Sequence, residues 1–203
     1  MTLQDAIAAT AELCGAPLSK PALAVLALDL DAYPPQAVLA ALRRCRMEHR
    51  GRLTAEAIIS RIDDGRPGPE EAWAMIPRDE DGSVVWTDEM ASAYGVAAPL
   101  LAHGEPIAAR MAFLEHYRAA VARARLDARP ATWRPSLGRD PRGRDAALID
   151  AAERGRIARD HPLLAHYGQA AIADEQRRHG ETTAAAAMRT VTRRISSTVR
   201  SND

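Results

Sequence analysis

A chain of 203 residues with 47% hydrophobic but only 4% aromatic residues can bury a core, and that core must be built from Ala, Leu, Ile and Val, which favours close-packed helices. The formal net charge is zero, which argues against a nucleic-acid binder with a dominant basic patch. No apolar run reaches the roughly 18 residues of a membrane span, and no charged n-region precedes an apolar h-region, so a soluble, cytoplasmic protein of one domain with an appendage, or of two small domains, is expected.

The charge is uneven along the chain. Residues 63–92 are acidic, and residues 118–144 and 177–200 are rich in Arg. Lys20 is the only lysine, so the basic stretches are almost wholly forked, bidentate donors. Cys14 and Cys45 have neither metal-binding nor redox spacing and read as reduced core thiols.

The first helix is predicted from a Thr2 cap to about Leu13, with Asp5 completing a short capping box and Gly15 stopping it. Ser19 and Pro21 open a second helix with Leu23, Leu26 and Leu30 on its buried side. Tyr33-Pro34-Pro35 starts a third, on which Val38, Leu42 and Cys45 recur at helical spacing while Arg43, Arg44 and Arg46 lie off the stripe. After a turn ending at Gly51, Thr54 caps a fourth helix, onto which Leu53 can staple through Ile58; Ile58, Ile59 and Ile62 form its buried edge. The segment Asp64-Gly65-Arg66-Pro67-Gly68-Pro69 is a tight connection, and Pro69 begins a short helix carrying Ala72, Trp73 and Ile76.

Residues 78–86 depart from the helical pattern. Val84-Val85-Trp86 favours strand, but three residues without a visible partner make no sheet, so an extended segment plugging Trp86 into the core is expected. Thr87 should cap a helix to about Tyr94, with Pro99 to Ala102 as a second piece. The longest helix is predicted from Glu105 to about Ala128, with Phe113, Tyr117, Ala120, Val121 and Ala124 along one side and Ile107, Met111 and Leu114 extending it. Residues 129–143 read as a Pro-, Gly- and Arg-rich loop or hinge. A helix follows from about Asp145 to Arg154, and another from about Pro162 to Arg178.

In the last segment Ala184, Met188, Val191, Ile195 and Thr198 or Val199 repeat with heptad-like spacing, with Arg189, Arg193 and Arg200 on the opposite face. Its β-branched residues disfavour helix, so it should be marginal alone and is a candidate for folding against a partner; docking on its own core and a frayed end are the alternatives. The expected class is therefore all-α: a multi-helix bundle with a marginal C-terminal amphipathic helix or tail. Its helical core spans 1–157, with an N-terminal bundle over 1–77 and a second helical part over 78–157, followed by a C-terminal helix and tail over 158–203.

The motifs of most enzyme classes are missing. There is no GxxxxGK[ST], no GxGxxG after a strand, no HExxH and no GxSxG, and the histidines are dispersed. The acidic pairs read as first turns of helices and a solvated loop. Neither catalysis nor a cofactor is expected. Trp73 and Trp86 read as core; Trp133 could be core or a binding anchor. The positions offered for partner contact are Met188, Arg189, Val191, Arg193, Arg194 and Ile195 in the tail. Arg43, Arg44, Arg46, Arg50 and Arg52 are offered for nucleic-acid or partner contact, against the plainer reading of a solvated surface.

Residues 17–62 resemble the N-terminal helical domain of the helicase loader and inhibitor proteins of Gram-positive phages. The resemblance is carried by Tyr33-Pro34, the Ala/Leu/Arg helix from Val38 to Arg46, and Leu53-Thr54 with Ala57-Ile58-Ile59. In this chain Leu53-Thr54 stands where the family usually has phenylalanine-proline. The resemblance implies a non-enzymatic phage or prophage DNA-replication adaptor. Its partner would be a replicative helicase or another replication protein, with DNA as a further contact and no membrane. A nucleic-acid-binding regulator of a mobile element, or an inhibitory protein with another target, are the competing expectations.

Overall fold

The structure is a computed structural model that describes residues 2–166; the expected tail and its partner-contact positions, Met188 to Ile195, lie outside the described residues. The fold is mostly helical. Its elements are α1 (Leu3–Leu13), α2 (Lys20–Asp29), α3 (Pro35–Glu48), α4 (Ala55–Ile59), α5 (Pro69–Met75), β1 (Val84–Thr87), α6 (Asp88–Ala102), α7 (Pro106–Leu126), β2 (Trp133–Ser136) and α8 (Pro141–Glu153). Among the described residues no helix is long and apolar enough to cross a membrane.

Caps set where these helices begin. The Thr2 hydroxyl accepts from the Asp5 N–H and the Asp5 carboxylate accepts from the Thr2 N–H, closing a capping box. Ser19, Thr54 and Thr87 each accept from the N–H three residues on, satisfying donors that a helix start leaves without partners. Prolines occupy the first turns of α2, α3, α5, α7 and α8, where no backbone N–H is needed.

The chain divides into two compact units. Among the described residues the first comprises 2–76 and 86–133, the second 77–85 and 134–166. The α6–α7 hairpin thus falls in the same unit as the N-terminal bundle.

Two apolar clusters stabilise the first unit. Ile7, Leu30, Val38, Leu42, Cys45, Leu53, Ile58 and Ile62 join α1 to α4. Ala72, Met90, Ala93, Phe113, Leu114 and Tyr117 join α5, α6 and α7, with Trp73, Trp86 and Trp133 partly buried against them. Trp73 packs on Phe113 with ring centroids 5.3 Å apart, and Trp86 on Tyr94 at 5.5 Å. All three indoles therefore serve the core from its margin. The clusters are tied together by the Tyr33 hydroxyl, which donates to the Arg125 carbonyl at 2.5 Å.

Several expectations need correcting. Residues 84–87 do form a strand, because they pair with Trp133–Ser136 from the segment read as a loop. Pro99 does not break α6, which runs unbroken to Ala102. An interior proline costs about 3 kcal/mol, which burial of Ala97 and packing of Leu100 and Leu101 against the core offset here. Helix α8 starts at Pro141 and not near Asp145, because the Asp140 carboxylate accepts from the N–H groups of Arg142 and Gly143; a further helix begins at Pro162, where the sequence predicts one. Ile107 and Met111 are 82% and 57% exposed; at the free start of α7 nothing described covers them.

In the second unit Val84, Val85, Leu148, Ala151 and Ile157 are buried. The stretch before β1 and the loop after β2 lie in very close contact. Gly138 N–H donates to the Ser83 hydroxyl at 2.9 Å and Arg139 N–H to the Glu80 carbonyl at 3.1 Å.

Candidate interaction surface

The basic residues singled out in the sequence share the C-terminal end of α3 and the turn after it, with Arg44 turned toward Arg61 and Asp63 and Arg46 toward α1. Arg43, Arg44 and Arg46 stand on the last turns of α3, and Arg50 and Arg52 on the turn that follows; all are exposed. The turn is pinned to the end of α1: Gly51, at a left-handed φ of 94°, donates its N–H to the Cys14 carbonyl at 2.9 Å. A side chain at that φ would be strained. Arg46 Nη1 donates to the buried Thr10 hydroxyl at 2.8 Å, so the C-terminal ends of α1 and α3 lie at one end of the bundle.

These arginines are poorly neutralised. Arg44 Nη2 lies 3.9 Å from Asp63 and Arg44 Nη1 donates to the Arg61 carbonyl. Arg50 donates to the neighbouring His49 carbonyl. Arg43 and Arg52 make no side-chain contact with an acid among the described residues. Every other arginine of the first unit meets a carboxylate. Arg61 meets Glu48 at 3.2 Å, Arg66 meets Asp64 and Glu89, and Arg125 meets Asp64 at 3.1 Å. Arg110 and Arg118 share Glu70, and Arg123 and Arg129 share Asp127.

Beside this end, α2 presents a second uncommon surface. Between Lys20 and Asp29 it has no polar side chain, a pattern that normally belongs to a helix buried on all sides. Only Leu26 of α2 is fully buried; Val25 is 59% and Leu28 73% exposed. Val25 and Leu26, with Leu18, Pro21, Ala22, Leu53 and Ala55, line an open groove of about 390 Å³ whose polar members are Asp29 and Arg52. Arg52 therefore belongs to both surfaces.

A third feature was not foreseen. Asp64, Arg66, Glu89 and Arg125 form an ionic network in the first unit. The Arg66 side chain is 1% exposed and binds Asp64 at 2.6 Å and Glu89 at 2.9 Å, while the carbonyls of Arg129 and Pro130 accept its remaining terminal N–H groups. Burial opposes the charges on Glu89 and Asp64, but their arginine partners outweigh it and both carboxyls titrate below the usual range. Burial pushes the Tyr117 phenol up; its hydroxyl donates to the Pro67 carbonyl at 2.8 Å. In the sequence Asp64 and Arg66 read as part of a connecting loop, and Glu89 falls within the acidic stretch 63–92 without being singled out. The one local hint was the close spacing of charge with Pro and Gly between Asp64 and Pro69.

Next to the network, Ile59, Pro67, Pro69, Tyr117, Val121 and Leu126 help line a mainly apolar groove of about 240 Å³. Arg66, Arg118 and Arg125 around it are each held by a carboxylate, and the network holds the α4–α5 connection against α6 and α7. No family model matches the chain, and no curated protein or solved structure is significantly similar to it.

Proposed function

We propose that this protein is a non-enzymatic adaptor that docks on a larger protein through its N-terminal bundle. The observation that carries the reading is α2, an apolar helix left on the surface with Val25 and Leu28 exposed beside a groove. Exposed apolar surface of this kind, rimmed by polar groups such as Asp29 and Arg52, is typical of protein contact sites. The resemblance of residues 17–62 to phage helicase loader and inhibitor proteins makes a replicative helicase the first partner to try, in a phage or prophage setting, as loader or as inhibitor.

The test is co-elution of the full chain with a purified hexameric replicative helicase after nuclease treatment. A stable complex is expected. Val25→Asp with Leu28→Asp should abolish it while leaving the melting temperature within a few degrees of wild type, because both side chains are solvent-facing. No co-elution at high micromolar concentrations would overturn the helicase assignment. A complex that survives the double substitution would remove α2 from the interface.

A further inference from the structure

We infer that the basic end of the N-terminal bundle is a phosphate-backbone contact for nucleic acid. Arg43, Arg50 and Arg52 supply the free cations, with Arg44 and Arg46 at its edge. The inference does not depend on the helicase partner.

The carrying observation is a contrast within one unit. The chain as a whole is neutral, and outside this cluster each arginine of the first unit is matched to an acid. At the basic end the matching stops. Glu48 is engaged by Arg61, and Asp63 stands 3.9 Å from Arg44. Glu12, on the last turn of α1, and Asp29, which lines the α2 groove with Arg52, are further acids near this end. The partial negative charges at two helix C-termini, roughly half a unit each, draw cations, but they fall short of the whole cluster. A positive excess remains, all of it guanidinium, the group whose forked donors suit phosphate oxygens best.

The surroundings favour a polyanion over an acidic protein. Protein interfaces have an apolar core depleted of charge. Here the cations are exposed, and Met47, between Arg46 and Arg50 in sequence, is 71% exposed. Nucleic-acid interfaces are more polar and more positively charged. The groups offered are exposed guanidinium donors, so the contact is with the backbone and is indifferent to sequence. It would let an adaptor held on a protein partner rest on the nucleic acid that the partner engages.

The experiment is fluorescence anisotropy of the full chain, without other proteins, against a labelled random-sequence duplex over a range of salt. With three phosphates neutralised, the slope of log K on log salt should be about −2.7, a loss of roughly 40-fold between about 50 and 200 mM salt. Each of Arg43→Ala, Arg50→Ala and Arg52→Ala should flatten the slope by about one, and the triple variant should bind barely at all, with unchanged circular dichroism and melting temperature. Absence of binding at low salt would overturn the inference. So would an unaltered slope in the triple variant, which would move the contact to the Arg-rich residues 177–200. Polyglutamate competing as well as the duplex at equal charge would assign the site to acidic proteins and equally overturn it. Helicase capture after nuclease reads the adaptor function separately, so either proposal can fail without the other.

Discussion

Glu89 shows how much one side chain can mean beyond its local context. It sits in the first turn of α6, where a carboxylate is favoured by the helix dipole. Yet it is 7% exposed and bound to Arg66, and neither its Oε2 nor Arg66 Nε has a hydrogen-bond partner among the described residues. Burying such a pair gains little overall, whereas removing one partner leaves a buried charge uncompensated at roughly 3–5 kcal/mol. Glu89→Ala should therefore lose about 3 kcal/mol at neutral pH, since Asp64 still holds Arg66. The pH dependence follows from the lowered carboxyls of Asp64 and Glu89. A carboxyl depressed in the folded state contributes stability above its unfolded value, near pH 4, and that contribution is lost as pH falls through the folded value. Urea midpoints of wild type should thus drop steeply below about pH 4, and those of Glu89→Gln should start lower and drop less. Parallel curves for the two proteins would show that the pair is not linked to folding.

At the scale of elements, the strand pair and the glycines beside it set the second unit. A Cβ built on Gly138 would lie 2.3 Å from the Asp81 carbonyl oxygen and 2.4 Å from that of Gly82. Backbone, unlike the end of a flexible side chain, cannot yield cheaply, so Gly138→Ala must separate the two segments or strain them. Overpacking of this sort typically costs about 1–3 kcal/mol. Hydrogen exchange should quicken at Arg139 and Asp140, whose N–H groups donate to the Glu80 and Asp81 carbonyls, and remain unchanged in α1 and α3. Unchanged exchange at both residues would mean that the close approach is not maintained in solution. The same scale explains α6, where side-chain packing keeps a helix going through Pro99.

Taken over the whole molecule, the N-terminal bundle behaves as one closed core, and its two thiols report on it. Cys14 is 4% and Cys45 0% exposed. Cys45 Sγ lies 3.5 Å from the Ala57 carbonyl, and burial pushes its thiol up. Since only the thiolate attacks, neither cysteine should react with Ellman's reagent over minutes in the native state, and both should react on unfolding. Their reaction rate in rising urea then follows the opening of α1, α3 and α4. Rapid native labelling of Cys45 would show that this core is loosely closed.

What the chain determined by itself was its local grammar. Thr2, Ser19, Thr54 and Thr87 each cap a helix where the residues predict it, because a capping hydrogen bond spans three residues and needs nothing from the rest of the fold. The apolar spacing of Val38, Leu42 and Cys45 placed the arginines of α3 on its outer side for the same reason. Pairing and burial belong to the tertiary structure. Val84 to Thr87 became a strand only when Trp133 to Ser136 arrived beside it. Asp64, Arg66 and Glu89 became a buried network only when α6 and α7 closed over the loop, and Ile107 stayed exposed because nothing described covers it. The contrast between matched and unmatched arginines has the same origin. Whether a guanidinium finds a carboxylate depends on distances of a few ångströms between residues far apart in sequence, and such distances are set by packing.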